Sequence, residues 1–172
     1  MRSILSFTTI VLLIGVTACQ TEQTKKQYFE ESPEIEIAKK AVKAFEDGDA
    51  ETYRSCYADT VRIWQNQYWT KFPGKTIEEQ MELFEYVHEA TEYYRNEGEI
   101  WEMIIQNNGQ NWVHYWSETH MKFKGDAEEI VVVGFIAFSV VDNKIVYESA
   151  IFDNLPLYLA EQRLKAKSEE KE

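Results

Sequence analysis

The sequence predicts an α+β domain in which a curved antiparallel sheet packs against three N-terminal helices. Three observations lead there. Capped helical patterns fall in the first half of the chain, four long runs of β-branched and aromatic residues follow Gly98, and tight-turn sequences separate those runs. Consecutive strands joined by short turns form a meander, which buries one face by curling over the apolar sides of the helices.

The first helix opens at Ser32-Pro33-Glu34, where a capping serine, a first-turn proline and an acid beside the helix dipole coincide. Ile35, Ala38, Ala41, Val42 and Phe45 then recur at helical spacing until Gly48. Asp49 caps a second, short helix over residues 50–56. Residues 61–65 and 68–72 read as short strands. Thr76-Ile77-Glu78-Glu79 is a capping box opening a third helix, with Ile77, Met81, Phe84, His88 and Thr91 along one face. Extended runs follow over 99–106, 111–124, 129–141 and 144–152. Asn107-Asn108-Gly109, Lys124-Gly125-Asp126 and Asp142-Asn143 supply the turns between them. A weakly apolar stretch over 155–165 ends in a charged tail, 168–172.

Ahead of the domain, Arg2 precedes an apolar stretch over residues 4–16, shorter than the ~20 residues of a comfortable membrane-crossing helix. The stretch ends in Val16-Thr17-Ala18-Cys19, which resembles a bacterial lipobox. That resemblance implies a cleaved signal over 1–18, lipidation of Cys19, and residues 19–33 as the lipidated cysteine and a flexible tether, ahead of a domain over 34–167. About thirteen flexible residues reach roughly 20 Å. Membrane contact would then run through the N-terminal lipid, in the bacterial cell envelope. Gln20 directs the protein to the outer membrane if the cell is Gram-negative. Cleavage would leave 154 of the 172 residues, and loss of Arg2 would take the net charge from −12 to −13.

Composition narrows function. With 18 Lys and Arg against 30 Asp and Glu, the chain has no basic surplus for a phosphate backbone, so no nucleic-acid partner is expected. Two cysteines build no disulfide framework. With Cys19 lipidated, Cys56 is the one remaining thiol and reads as a small buried hydrophobe rather than a nucleophile. A phosphate-binding glycine loop and a nucleophile elbow are both missing, and no cofactor is expected.

The order of elements resembles the nuclear transport factor two-like superfamily, and within it the SnoaL-like branch, over about residues 34–159. Gly48-Asp49, Tyr57-Ala58-Asp59, Pro73-Gly74, Glu118-Thr119-His120 and Lys144-Ile145-Val146 carry the likeness by their order and spacing. It implies a cone-shaped fold enclosing a pocket, commonly paired as a homodimer through the sheet, in a group that includes isomerases, cyclases, dehydratases and pure binding domains. The ketosteroid-isomerase roles do not carry over. The base falls on Gln65, the oxyanion tyrosine on Ala41 and the oxyanion acid near Gly134, and none of these can do that chemistry. The cyclases' Gly-Thr-His meets Glu118-Thr119-His120, with the histidine kept and the glycine replaced.

Period-two alternation puts Trp112, His114, Trp116, Glu118 and His120 on one strand face. The resemblance puts Val132, Gly134, Ile136, Phe138, Glu148, Ala150 and Phe152 on the pocket face. The Trp112-to-His120 row is expected on that same interior, with His88 converging from the third helix. His120 and Glu118 are the candidate acid–base pair. Trp112, His114, Trp116, His88, Glu148, Phe152 and Trp64 are the candidate ligand contacts, although Trp64, Trp69 and Trp101 also read as core or dimer-face residues. A metal is not expected. His114 and Glu118 lie roughly 13 Å apart along a strand, and Glu118 and His120, about 7 Å apart, lack further ligands.

Three readings follow. The first is a lipid-tethered domain whose pocket binds a small, partly apolar ligand. The second is a cyclase, dehydratase or isomerase using His120 and Glu118, with Glu148 assisting. The third is a dimeric structural domain whose cone is plugged by Trp112 and Trp116.

Overall fold

The computed structural model describes residues 27–67 and 70–169. The expected signal and the lipidation site Cys19 lie outside the described residues, as does Trp69. Helix α1 (Pro33–Asp47) starts where Ser32 Oγ accepts the Ile35 N–H and stops at Gly48, whose φ of 73° is the left-handed cap conformation. Asp49 caps α2 (Ala50–Ser55) by accepting the Thr52 N–H. Thr76 and Glu79 form both halves of the capping box of α3 (Ile77–Ala90). A fourth helix, α4 (Leu155–Glu169), extends the weak C-terminal pattern into four turns.

Among the described residues one six-stranded sheet runs in the order β1-β3-β4-β5-β6-β2. β3 (Thr91–Ile105), β4 (Asn111–Phe123), β5 (Ile130–Val141) and β6 (Lys144–Phe152) form the expected antiparallel meander. The sheet is mixed rather than antiparallel throughout, because β2 (Tyr57–Gln65) joins the far edge parallel to β6. At the other edge, β1 (Tyr28–Phe29) pairs with Met103 and Ile104, so the end of the expected tether belongs to the sheet. The expected strand at 68–72 is not formed over its described part, where residues 70–72 are turn and bend. Lys75 alone bridges back to Ile63.

β3 starts eight residues earlier than expected. Gly98 marks a bulge within the strand, where Gly98 and Glu99 together face one residue of β4. The extra residue reverses the alternation, so Asn96 before the bulge and Trp101 after it point to the same side as Tyr115. The main core lies between α1, α2, α3 and the concave face of the sheet, around Ile35, Ala41, Tyr53, Ile63 and Phe138. A second, smaller core sits under α4, where Ala160 meets Met121, Ile130 and Val132. Arg163 fastens α4 to the β4–β5 turn by donating to both carboxylate oxygens of Asp126, at 2.8 and 3.2 Å.

Candidate functional site

The helices do not fill the concave side of the sheet. A cavity of about 410 Å³ remains, floored by β4, β5 and β6 and walled by α1, α2 and α3. That volume is in the range of small-molecule sites. It meets solvent where the lining residues Tyr86 and Asn154 are exposed, and it ends among the buried side chains of Tyr53, Tyr57, Phe138 and Glu148.

Register decides which face of each strand lines it. Thr119, Ser117 and Tyr115 stand opposite Val132, Gly134 and Ile136, and directly paired residues share a face. Gly134, Ile136 and Phe138 in turn pair with Phe152, Ala150 and Glu148. The placement expected for β5 and β6, including Glu148 and Phe152, is therefore the one found. The same register corrects the placement of Trp112, His114, Trp116, Glu118 and His120. That row shares the convex face with Val131, Val133, Phe135 and Ala137. The two interior assignments were incompatible, since a strand offset by one residue turns every side chain to the opposite side.

Each displaced candidate has its own surroundings. His120 Nδ1 lies 3.0 Å from Glu129 Oε1, and its Nε2 lies 3.8 Å from both Glu118 and Glu97. The His120–Glu118 pairing thus exists, outside the cavity. His114 pairs with Glu102 at 3.3 Å, and its ring meets Trp116 and Phe135 edge-on. Trp112 packs edge-on against Tyr147. Trp64 stacks on Tyr147, with ring centroids 4.4 Å apart, and donates to the Phe72 carbonyl. Its indole explains Gly74, where an added Cβ would come within 2.8 Å of the ring. His88 faces α1 and packs on Phe45, Phe84 and the open side of Gly48, with no hydrogen-bond partner for Nε2. None of the three histidines lines the cavity. Among the described residues no group of three His, Cys, Asp or Glu is placed to hold a metal ion. Cys56 is a buried free thiol whose pKa burial pushes up, so it is poorly suited to nucleophilic work.

The chemistry inside the cone centres on Glu148. Burial drives its carboxyl up to about 7, against the favourable hydrogen bond that Tyr57 donates to Oε2 at 2.6 Å. Behind this pair runs a chain of donors. Lys75 Nζ donates to Gln65 Oε1 at 2.6 Å, Gln65 Nε2 to Gln80 Oε1 at 3.1 Å, and Gln80 Nε2 to the Tyr53 hydroxyl at 3.1 Å. The Tyr53 and Tyr57 rings tilt together with centroids 5.0 Å apart. Farther along the wall, Thr119 donates to Asn96 Oδ1 at 2.8 Å. Sequence reasoning found Glu148 but missed the chain, although Tyr57 and Gln65 were both in view. The missing signal was spatial, because Gln65 and Gln80 meet only once the parallel β2 is laid beside β6 and under α3.

Comparison with known proteins agrees with this geometry at the level of fold. No family model matches the chain, and no curated protein matches it by sequence. Solved structures do. A protein assigned as a SnoaL-like polyketide cyclase from Shewanella denitrificans OS-217 shares 14% identity, covering 77% of this chain and 99% of its own, with a TM-score of 0.57. An LEH-like epoxide hydrolase of M. tuberculosis shares 10%, covering 76% and 90%, with a TM-score of 0.55. TerC, crystallised with polyporic acid, shares 18%, covering 75% and 98%, with a TM-score of 0.58. At such identities the likeness carries the fold alone. The described residues form the SnoaL-like, nuclear transport factor two-like α+β cone, with a curled mixed sheet and four helices.

Proposed function

We propose that this protein binds a small, partly apolar molecule in the cone. One observation carries the reading: a cavity of about 410 Å³ with largely apolar walls ends in a single buried carboxyl already engaged by a tyrosine. The structural reading loses its basis, because Trp112 and Trp116, the side chains expected to plug the cone, lie on the convex face. Three further features of the proposal rest on other grounds. The lipobox-like Val16-Thr17-Ala18-Cys19 supports export and lipid anchoring in a bacterial envelope, at the outer membrane if the cell is Gram-negative. The convex face, with Val133 and Ile151 each 61% exposed and Ile100 60% exposed, supports homodimerisation through the sheet. The acidic balance supports a function without nucleic acid.

A second reading is favoured by the Glu148 carboxyl, poised at about 7. A group that exchanges its proton near neutrality beside a tyrosine is equipped for acid–base work on a bound ligand. Glu148 and Tyr57 therefore replace Glu118 and His120 as the candidate pair for an isomerase, dehydratase or cyclase.

Native mass spectrometry of the chain from Glu22 onward tests the main reading. One small molecule per chain, released on denaturation and lost in a cavity-filling Ala150→Phe variant, is the expected result. A chain that carries nothing and takes up no apolar probe would end it. The same spectrum reports the dimer, and loss of radiolabelled palmitate incorporation in Cys19→Ser reports the anchor.

A further inference from the structure

Glu148 is the only charged side chain lining the cavity among the described residues, which contribute no Lys, Arg or His to its walls. Nine aromatic side chains line it from the concave side. The polar groups behind Glu148 are arranged to supply donors to it. From Lys75 through Gln65 and Gln80 each N–H points toward Tyr53, whose ring packs on Tyr57, and Tyr57 donates to Oε2. Aligned donors of this kind favour a negative charge at their end. Yet the donors reach only Oε2, and no cation inside the cavity balances the charge. Oε1 is left for a ligand.

We propose that the cavity selects an apolar-bodied amine, with its ammonium group donating to Glu148 Oε1 and its carbon body held between aromatic rings. The inference rests on the reading of the cone as a ligand pocket. A carboxylate in a water-poor site gains most from a partner that carries a positive charge and donors. The nearby tyrosine rings add attraction for a cation through their faces. A carboxylate or phosphate ligand meets the opposite situation, with an anion at the end of the pocket and a protein of net charge −12 around it. A neutral ligand that accepts a hydrogen bond needs Glu148 to donate, which it can do only while protonated, so that mode fades as pH rises through about 7.

The groups facing Glu148 determine how binding depends on pH. They are Tyr57 on β2, Tyr53 on α2 and Tyr94 on β3, with Lys75 acting from outside the cavity through Gln65. The tyrosines are all held above their ordinary range by burial and stay neutral. Glu148 is thus the group that changes charge near neutrality, and an alkylammonium ligand keeps its proton there. Amine affinity should therefore rise about tenfold from pH 6 to pH 8 as Glu148 ionises.

The test titrates the purified full chain by calorimetry with three probes of matched size: 2-(2-naphthyl)ethylamine, 2-(2-naphthyl)ethanol and 2-naphthylacetate. The expected order at pH 8 is amine over alcohol over acid, with the amine gaining about tenfold between pH 6 and 8 and the alcohol staying flat. Glu148→Gln keeps the side-chain shape, so it should bind the alcohol within twofold of wild type and lose the preference for the amine. Retained alcohol binding shows that the variant is folded, and if the variant does not fold, the wild-type pH profile still decides. Equal binding of amine and alcohol, or preference for the acid, overturns the amine proposal and leaves the pocket standing. Binding of none of the three overturns both.

Discussion

Two glutamates on opposite faces of one sheet titrate in opposite directions. Glu129, just ahead of β5 on the convex side, is held down at about 2, first by the hydrogen bond from Tyr93 and then by His120 and Arg95. Glu148, on the concave side, is lifted to about 7 because burial outweighs its one tyrosine donor. The convex cluster keeps its charges in water among counter-charges, where ionisation is easy. The concave carboxyl has been taken out of water with too few partners, and a shift in that direction is the mark of a working group more than of a structural one. His120 and Glu118 had the residue types of an acid–base pair; Glu148 has the environment.

Truncations give the largest effect separating the two faces. Phe138 is 1% exposed on the concave side and Val133 is 61% exposed on the convex side of the same strand. Phe138→Ala should cost about 3–5 kcal/mol of unfolding free energy, whereas Val133→Ala should stay within about 0.5 kcal/mol. Urea unfolding of both variants, compared at two protein concentrations, checks this. Similar costs for the two would mean that the convex face is buried in the folded unit, which would replace the two-faced description with that of an obligate dimer.

The next effect follows from linkage, and its sign differs between the two glutamates. Glu148 has a folded pKa of about 7 against an ordinary value of 4.5, so the folded state holds the extra proton between them. Stability therefore falls as pH rises through that window, and the whole cost is present above about pH 7. Glu148→Gln removes the ionisation and should stabilise the protein by about 3 kcal/mol at pH 8, with the gain gone below about pH 4. Glu129 has its pKa depressed, so its contribution is present above 4.5 and lost as pH falls through about 2. Glu129→Gln should accordingly destabilise at pH 7, by an amount that disappears in strong acid. Thermal melts of both variants from pH 3 to 8 measure the two curves. Parallel curves would refute the contrast.

The fold was legible because its signals are local. Ser32, Asp49 and Thr76 cap the helices they were expected to cap, and β6 runs over the expected residues. The site was half legible for a reason that residues in β4 make plain. Alternation sorts Trp112 from Val113 but does not say which of the two sets faces inward, and both are rich in aromatics. Only the pairing of Ser117 with Gly134 and of Gly134 with Phe152 fixes the choice. Burial of the polar Ser117 and exposure of Val133 run against the usual hydrophobic sorting. The inner face keeps small and polar groups beside a cavity, and the outer face carries apolar groups available to a partner.

The smallest expected effect is on ligand binding and concerns His120. The sequence makes it half of the candidate acid–base pair; the structure moves it to the far side of the sheet, with Nδ1 on Glu129 and Nε2 near Glu97 and Glu118. His120→Ala removes a bridge between carboxylates that Arg95 and Tyr93 continue to contact, and it leaves the neighbouring Thr119 and Met121 on the inner wall untouched. Binding of the naphthyl probes by the variant should therefore stay within about twofold of wild type, while Ala150→Phe loses it and Glu148→Gln loses the preference for the amine. A loss of tenfold or more in His120→Ala, with an unchanged melting temperature, would mean that the convex cluster reaches the cavity through the backbone of β4. The division between a solvated outer cluster and a desolvated inner carboxyl would then be too sharp.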